Sequence, residues 1–103
     1  MSAIFYHSFM NERRRERLTA FLQEAIGEFF LRECAFDNGV FASVQFVDLN
    51  EVASRAMISV SVFPDEARDK VADILKTREN EATHFVRQKL DNKYTPAIRF
   101  FVK

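Results

Sequence analysis

The chain has 103 residues, fifteen bases balanced by fifteen acids, two Gly, two Pro and a single cysteine, Cys34. That length suits one domain, residues 1–103, with a modest core that needs neither metal nor disulfide; one Cys excludes an internal disulfide, and no apolar run approaches the ~20 residues of a membrane span. Twelve Phe residues predict a Phe-dominated core, each buried ring removing roughly 150–250 Å² from water.

Residues 1–10 carry Ile4, Phe5, Tyr6 and Phe9 without a basic start or a small-residue cleavage site, so they do not read as a signal peptide. Their role, docked on a sheet or capping the first helix, stays open at this level. Leu18, Phe21, Leu22, Ala25, Ile26, Phe29 and Phe30 follow the spacing of one helix face and predict a helix from Asn11 to Glu33, with Asn11 as N-cap. The Asn38-Gly39 pair ends it in a turn.

A strand is predicted over Val40–Leu49, with Val44 and Phe46 on one face and Ser43 and Gln45 on the other. After the turn Asn50–Ser54 a cleaner strand runs Arg55–Phe63, with Ala56, Ile58, Val60 and Val62 inward and Ser59 and Ser61 outward. The pair reads as an antiparallel hairpin with one buried face. Pro64 and Asp65 open a second helical region. Its inward positions are Val71, Ile74 and Leu75, then Ala82, Phe85, Val86 and Leu90, separated by the wholly polar KTRENE of residues 76–81. An unbroken helix to Asn92 is long for so small a domain, which predicts a bend near Asn80. Asn80, His84, Arg87 and Asp91 then lie outward. The last strand, Thr95–Val102, turns Ile98, Phe100 and Val102 to one face. The order is helix, strand, strand, helix, bend, helix, strand: an α+β fold in which helices back one side of a three-stranded sheet.

Charge is unevenly placed. From Lys76 onward seven bases stand against three acids; from Glu33 to Asp73 eight acids stand against three bases. A neutral total therefore conceals a basic region. Arg13, Arg14, Arg15 and Arg17 form a second basic group, which either pairs with Glu12 and Glu16 or reaches outward. No catalytic constellation is visible. His7 and His84 lack further ligands at metal spacing, and there is no glycine-rich phosphate loop. The chain is not expected to be an enzyme or to take a cofactor, and Cys34 reads as a small buried thiol.

The element order, together with NERRRERL, SVSVFPDE, ATHFVRQKL and the closing TPAIRFFVK, resembles a type II KH-like domain, and more closely the bacterial ribosome-binding factor A family. The resemblance covers nearly the whole chain. It implies a cytoplasmic, monomeric factor that binds the small (30S) ribosomal subunit and its 16S rRNA late in maturation, assists rRNA processing and matters in the cold, with no membrane or small-molecule substrate. In that family the helices bend at an alanine-x-glycine site, which falls here on Ala82, Thr83 and His84, with His84 replacing the glycine. The RNA-binding candidates are Arg13, Arg14, Arg15, Arg17, Lys76, Arg78, Asn80, Thr83, His84, Arg87, Lys89 and Lys93; the bend candidates are Asn80, Ala82, Thr83 and His84. The alternative is a small α+β module that dimerises through a sheet edge or its aromatic N-terminus, without RNA.

Overall fold

A computed structural model describes residues 11–91 and 94–103. The aromatic segment of residues 1–10 and Lys93 lie outside the described residues. The first helix, α1 (Glu12–Glu33), begins at the predicted cap: Asn11 is extended and its side-chain oxygen accepts the Arg14 N–H at 2.9 Å. Leu22, Ala25, Ile26, Phe29 and Phe30 form its buried stripe. The chain leaves α1 through a turn in which the Val40 N–H donates to the Asp37 carbonyl at 3.0 Å. Gly39 sits there at φ +81°, a conformation that suits a residue without Cβ.

Strands β1 (Phe41–Leu49) and β2 (Arg55–Phe63) form the predicted antiparallel hairpin, and β3 (Ala97–Val102) pairs parallel to β2, giving the sheet order β1-β2-β3. The hairpin turn is held by Asn50, whose side-chain oxygen accepts the N–H groups of Ser54 and Arg55 at 2.8 and 2.9 Å. Between β2 and β3 the chain crosses over through a short 3₁₀ turn (Asp65–Ala67) and two helices, α2 (Arg68–Thr77) and α3 (Glu79–Lys89). All three helices contribute to one core with the inward face of the sheet: Ala56, Ile58, Val60 and Ile98 meet Leu22, Ile26, Phe29, Val71, Leu75, Ala82 and Val86.

Two expectations require correction. Phe46 does not share the inward face with Val44; it is 51% exposed, whereas Val47 and Leu49 are buried. The register slips between Val44 and Phe46, so Gln45 is an extra residue and the alternation changes phase after it. Nor is the core dominated by Phe. Phe29 and Phe30 are buried, but Phe41, Phe46, Phe63 and Phe101 are exposed, and most of the interior is aliphatic. Alternation forces this result: in each strand the positions opposite to the inward set leave the core whatever residue occupies them.

Candidate nucleic-acid interface

The polar seam of residues 76–81 is the joint between α2 and α3. Thr77 Oγ1 donates back to the Ile74 carbonyl at 2.8 Å, and the Arg78 N–H bonds to Leu75, three residues back, at 3.0 Å. Arg78, at φ −114° and ψ 14°, is the single residue between the helices. The bend therefore falls two residues before Asn80 and four before Ala82. Asn80, Ala82, Thr83 and His84, expected at the bend, lie inside α3, where the Ala82 N–H returns to the Arg78 carbonyl at 2.9 Å. A glycine would permit a sharp turn at position 84, whereas a His there favours continued helix.

Arg78 is held inward rather than presented to solvent. Its guanidinium straddles Glu81 (2.7 Å from Nε to Oε1, 3.1 Å from Nη2 to Oε2), donates to the Glu33 carbonyl at 2.6 Å and lies 5.8 Å from the Phe29 ring centre. This bidentate contact lowers the Glu81 pKa and raises that of Arg78. The fork thus ties the joint to the C-terminal end of α1. Cys34, beside it, is buried, and burial pushes its thiol pKa up, which leaves it an unreactive core residue.

Three other candidates are engaged by groups of the fold itself. Thr83 Oγ1 donates to the Glu79 carbonyl at 3.0 Å and accepts the Ile98 N–H at 2.9 Å, on the side of β3 away from β2. Glu79 Oε2 accepts the next N–H on that side, from Phe100, at 2.9 Å. Together they pair these two N–H groups of the β3 edge with α3. Lys89 meets Glu28 at 3.0 Å and lies 5.2 Å from the Phe85 ring centre, and that hydrogen bond chiefly lowers the Glu28 pKa. Arg15 donates to the carbonyls of Leu49 at 2.8 Å and of Asn50 and Glu51 at 3.3 Å, clamping α1 to the hairpin turn.

The remaining described candidates are exposed: Arg13, Arg14, Arg17, Lys76, Asn80, His84 and Arg87. Among the described residues none of these cations forms an ion pair, so Glu12 and Glu16 do not neutralise the arginines of α1. Asn80, His84 and Arg87 form one outward stripe on α3, opposite buried Ala82 and Val86, as the helical spacing predicted. The cations form two groups. Arg15 fixes the first turns of α1 beside Leu49, and Arg78 fixes the joint beside Glu33; eighteen residues of helix rise separate these anchors by about 27 Å. Among the described residues, the exposed cations outside ion pairs stand on the first turns of α1 (Arg13, Arg14, Arg17), at the end of α2 (Lys76) and on α3 (Arg87). Sequence reasoning missed the two acids that organise the site, Glu79 and Glu81, because their partners are a distant backbone N–H and an Arg that reads as a surface cation.

No family model matches the sequence, and no curated protein matches it. Among solved structures, the solution NMR structure of a Thermotoga maritima protein provisionally described as a ribosome binding factor A superposes with a TM-score of 0.70 at 25% identity, covering 89% of this chain and 90% of that one. The fold is thus the ribosome-binding-factor-A-like, KH-like α+β fold that the sequence resembles.

Proposed function

We propose that this chain, ribosome-binding-factor-A-like in fold, is a ribosome-associated assembly factor that binds the 16S rRNA of the small (30S) subunit in late maturation and assists its processing in the cytoplasm, as a single KH-like ribosome-binding unit. The observation that supports the reading is the set of exposed cations that form no ion pair among the described residues, Arg13, Arg14, Arg17, Lys76 and Arg87, on a fold shared with a protein provisionally described as a ribosome binding factor A. Unpaired surface cations contribute little to folding, whereas each one that neutralises a phosphate releases counterions and adds to affinity. The action is positional: the protein holds an RNA conformation and catalyses no bond change. Asn80 and His84 beside Arg87 supply hydrogen-bonding groups next to a phosphate contact.

Co-sedimentation with purified small subunits, against large subunits and a random RNA, at two salt concentrations tests this reading. Selective binding to small subunits is expected, falling with salt at a slope of roughly −0.7 to −0.9 per phosphate contact. Arg14→Glu with Arg17→Glu and Arg87→Glu is expected to keep the fold and lose most of the binding. Equal binding by this variant, or equal binding to both subunits, overturns the proposal.

A further inference from the structure

The face of the sheet that the helices leave open is not an ordinary solvated face. Its outward residues include Phe41, Phe46, Phe63 and Phe101, exposed by 66, 51, 68 and 56% respectively. They fall in two rows. Phe41 pairs directly with Phe63 across β1 and β2. Phe46 and Phe101 both register with Ser59, one from each side, and Ser59 is only 5% exposed although its side chain points away from the core. The two Phe residues stand on either side of it in register.

Between the rows lies a polar strip. Ser43 Oγ stands 3.2 Å from Ser61 Oγ, and Gln45 Nε2 donates to Ser61 Oγ at 3.0 Å. Arg55 stands at one end of the outward positions and Lys103, one residue past the Val102–Val60 pair, stands beside Ser61 in the polar strip; neither forms an ion pair among the described residues. Arg99 is shared with Glu79 at 3.9 Å. Asp48 is the one acid at an outward strand position.

Rings, then hydroxyl and amide groups, then rings again, with one cation at the Arg55 end and another, Lys103, beside the polar strip, match the chemistry of an unpaired RNA strand: π-faces to stack, base edges to hydrogen-bond, phosphates to neutralise. An apolar protein partner would take the Ser43, Ser61 and Gln45 polar groups from water with only one another as partners, and would desolvate Arg55 and Lys103 with no counter-charge. From Arg55 to Ser61 the face measures about 20 Å, enough for a few nucleotides. We infer that the open face of the sheet is a stacking platform for unpaired RNA bases, with Phe46 and Phe101 as its central pair, distinct from the charged surface of α1 and α3. It deepens the RNA-binding reading by adding base contacts to phosphate contacts.

The test measures anisotropy of a short labelled oligouridine and of an abasic strand of equal length, with the parent chain, the Phe46→Ala/Phe101→Ala variant and the Phe46→Tyr/Phe101→Tyr variant. The parent is expected to prefer the strand with bases. Alanine is expected to weaken oligouridine binding by about fivefold or more per ring, with the salt slope and the abasic strand unaffected, and tyrosine is expected to restore it. The platform is overturned if the parent binds no oligouridine at low salt, if it binds both strands equally, or if the alanine variant binds as the parent does. A loss of self-association in sedimentation equilibrium, with RNA binding unchanged, would assign the face to a second copy instead and also overturn it. Particle binding by the Arg14→Glu/Arg17→Glu/Arg87→Glu variant separates the two proposals. If that binding is lost while the rings have no effect, only the platform fails; if the rings matter while the charge variant binds small subunits normally, only the assembly-factor reading fails.

Discussion

Thr83 Oγ1 accepts the backbone N–H of Ile98 at 2.9 Å, and through this bond a helix takes the place of a fourth strand. Thr83→Val keeps the shape of the side chain and removes the acceptor, leaving a part-buried N–H unpaired. A loss of about 1–3 kcal/mol in denaturant unfolding is expected, with Thr83→Ser much nearer the parent. A Val variant as stable as the parent would show that water satisfies Ile98.

Acid should weaken the molecule through its carboxylates. The Glu81 and Glu28 pKa values are both lowered from the ordinary 4.5, by hydrogen bonds to Arg78 and Lys89 respectively. A group with a depressed folded pKa stabilises above its unfolded value, and that contribution is lost as pH falls through the folded one. Stability is therefore expected to decline below pH 4.5, and Glu81→Gln should start less stable at neutral pH and decline less steeply. Parallel stability–pH curves for parent and variant would exclude the Arg78–Glu81 fork as a source of that dependence.

Arg15 and Arg17 separate folding from binding. Arg15→Met removes the clamp on the Leu49, Asn50 and Glu51 carbonyls and is expected to cost about 1–2 kcal/mol. Arg17→Met, at an exposed position with no ion pair among the described residues, should stay within about 0.5 kcal/mol of the parent. Thermal or denaturant melts of the two variants check this ranking, and a reversed order would contradict the placement of the α1 start.

Phe29 and Phe85 have ring centres 5.4 Å apart, yet their burial differs. Phe29 is fully buried and also lies under Arg78, so Phe29→Ala should cost roughly 3–5 kcal/mol. Periodicity alone makes Phe85 an equal core residue. In the structure it is only half-buried, with Lys89 over its ring, and Phe85→Ala should fall below that range. Equal losses measured by urea unfolding would show the sequence reading of Phe85 to be the better one.

Much of this architecture follows from local pattern. The stripe from Leu22 to Phe30 fixes a helix, the alternation from Ala56 to Val62 fixes a strand and its inward face, and Asn11 fixes a helix start, because each effect acts within a turn of helix or a strand pair. The position of the joint, the phase of β1 after Gln45 and the duties of Arg15, Arg78, Thr83 and Lys89 depend instead on distant groups: the Leu49, Asn50 and Glu51 carbonyls, the Glu33 carbonyl, the Ile98 N–H and Glu28. A cation read in sequence is a charge; whether it faces a phosphate or a carbonyl is decided only when folding brings a backbone acceptor within 3 Å of it. The same holds for the four open-face Phe residues, whose hydrophobicity marks them for the interior while strand alternation, set by the helices covering the other side, turns them out.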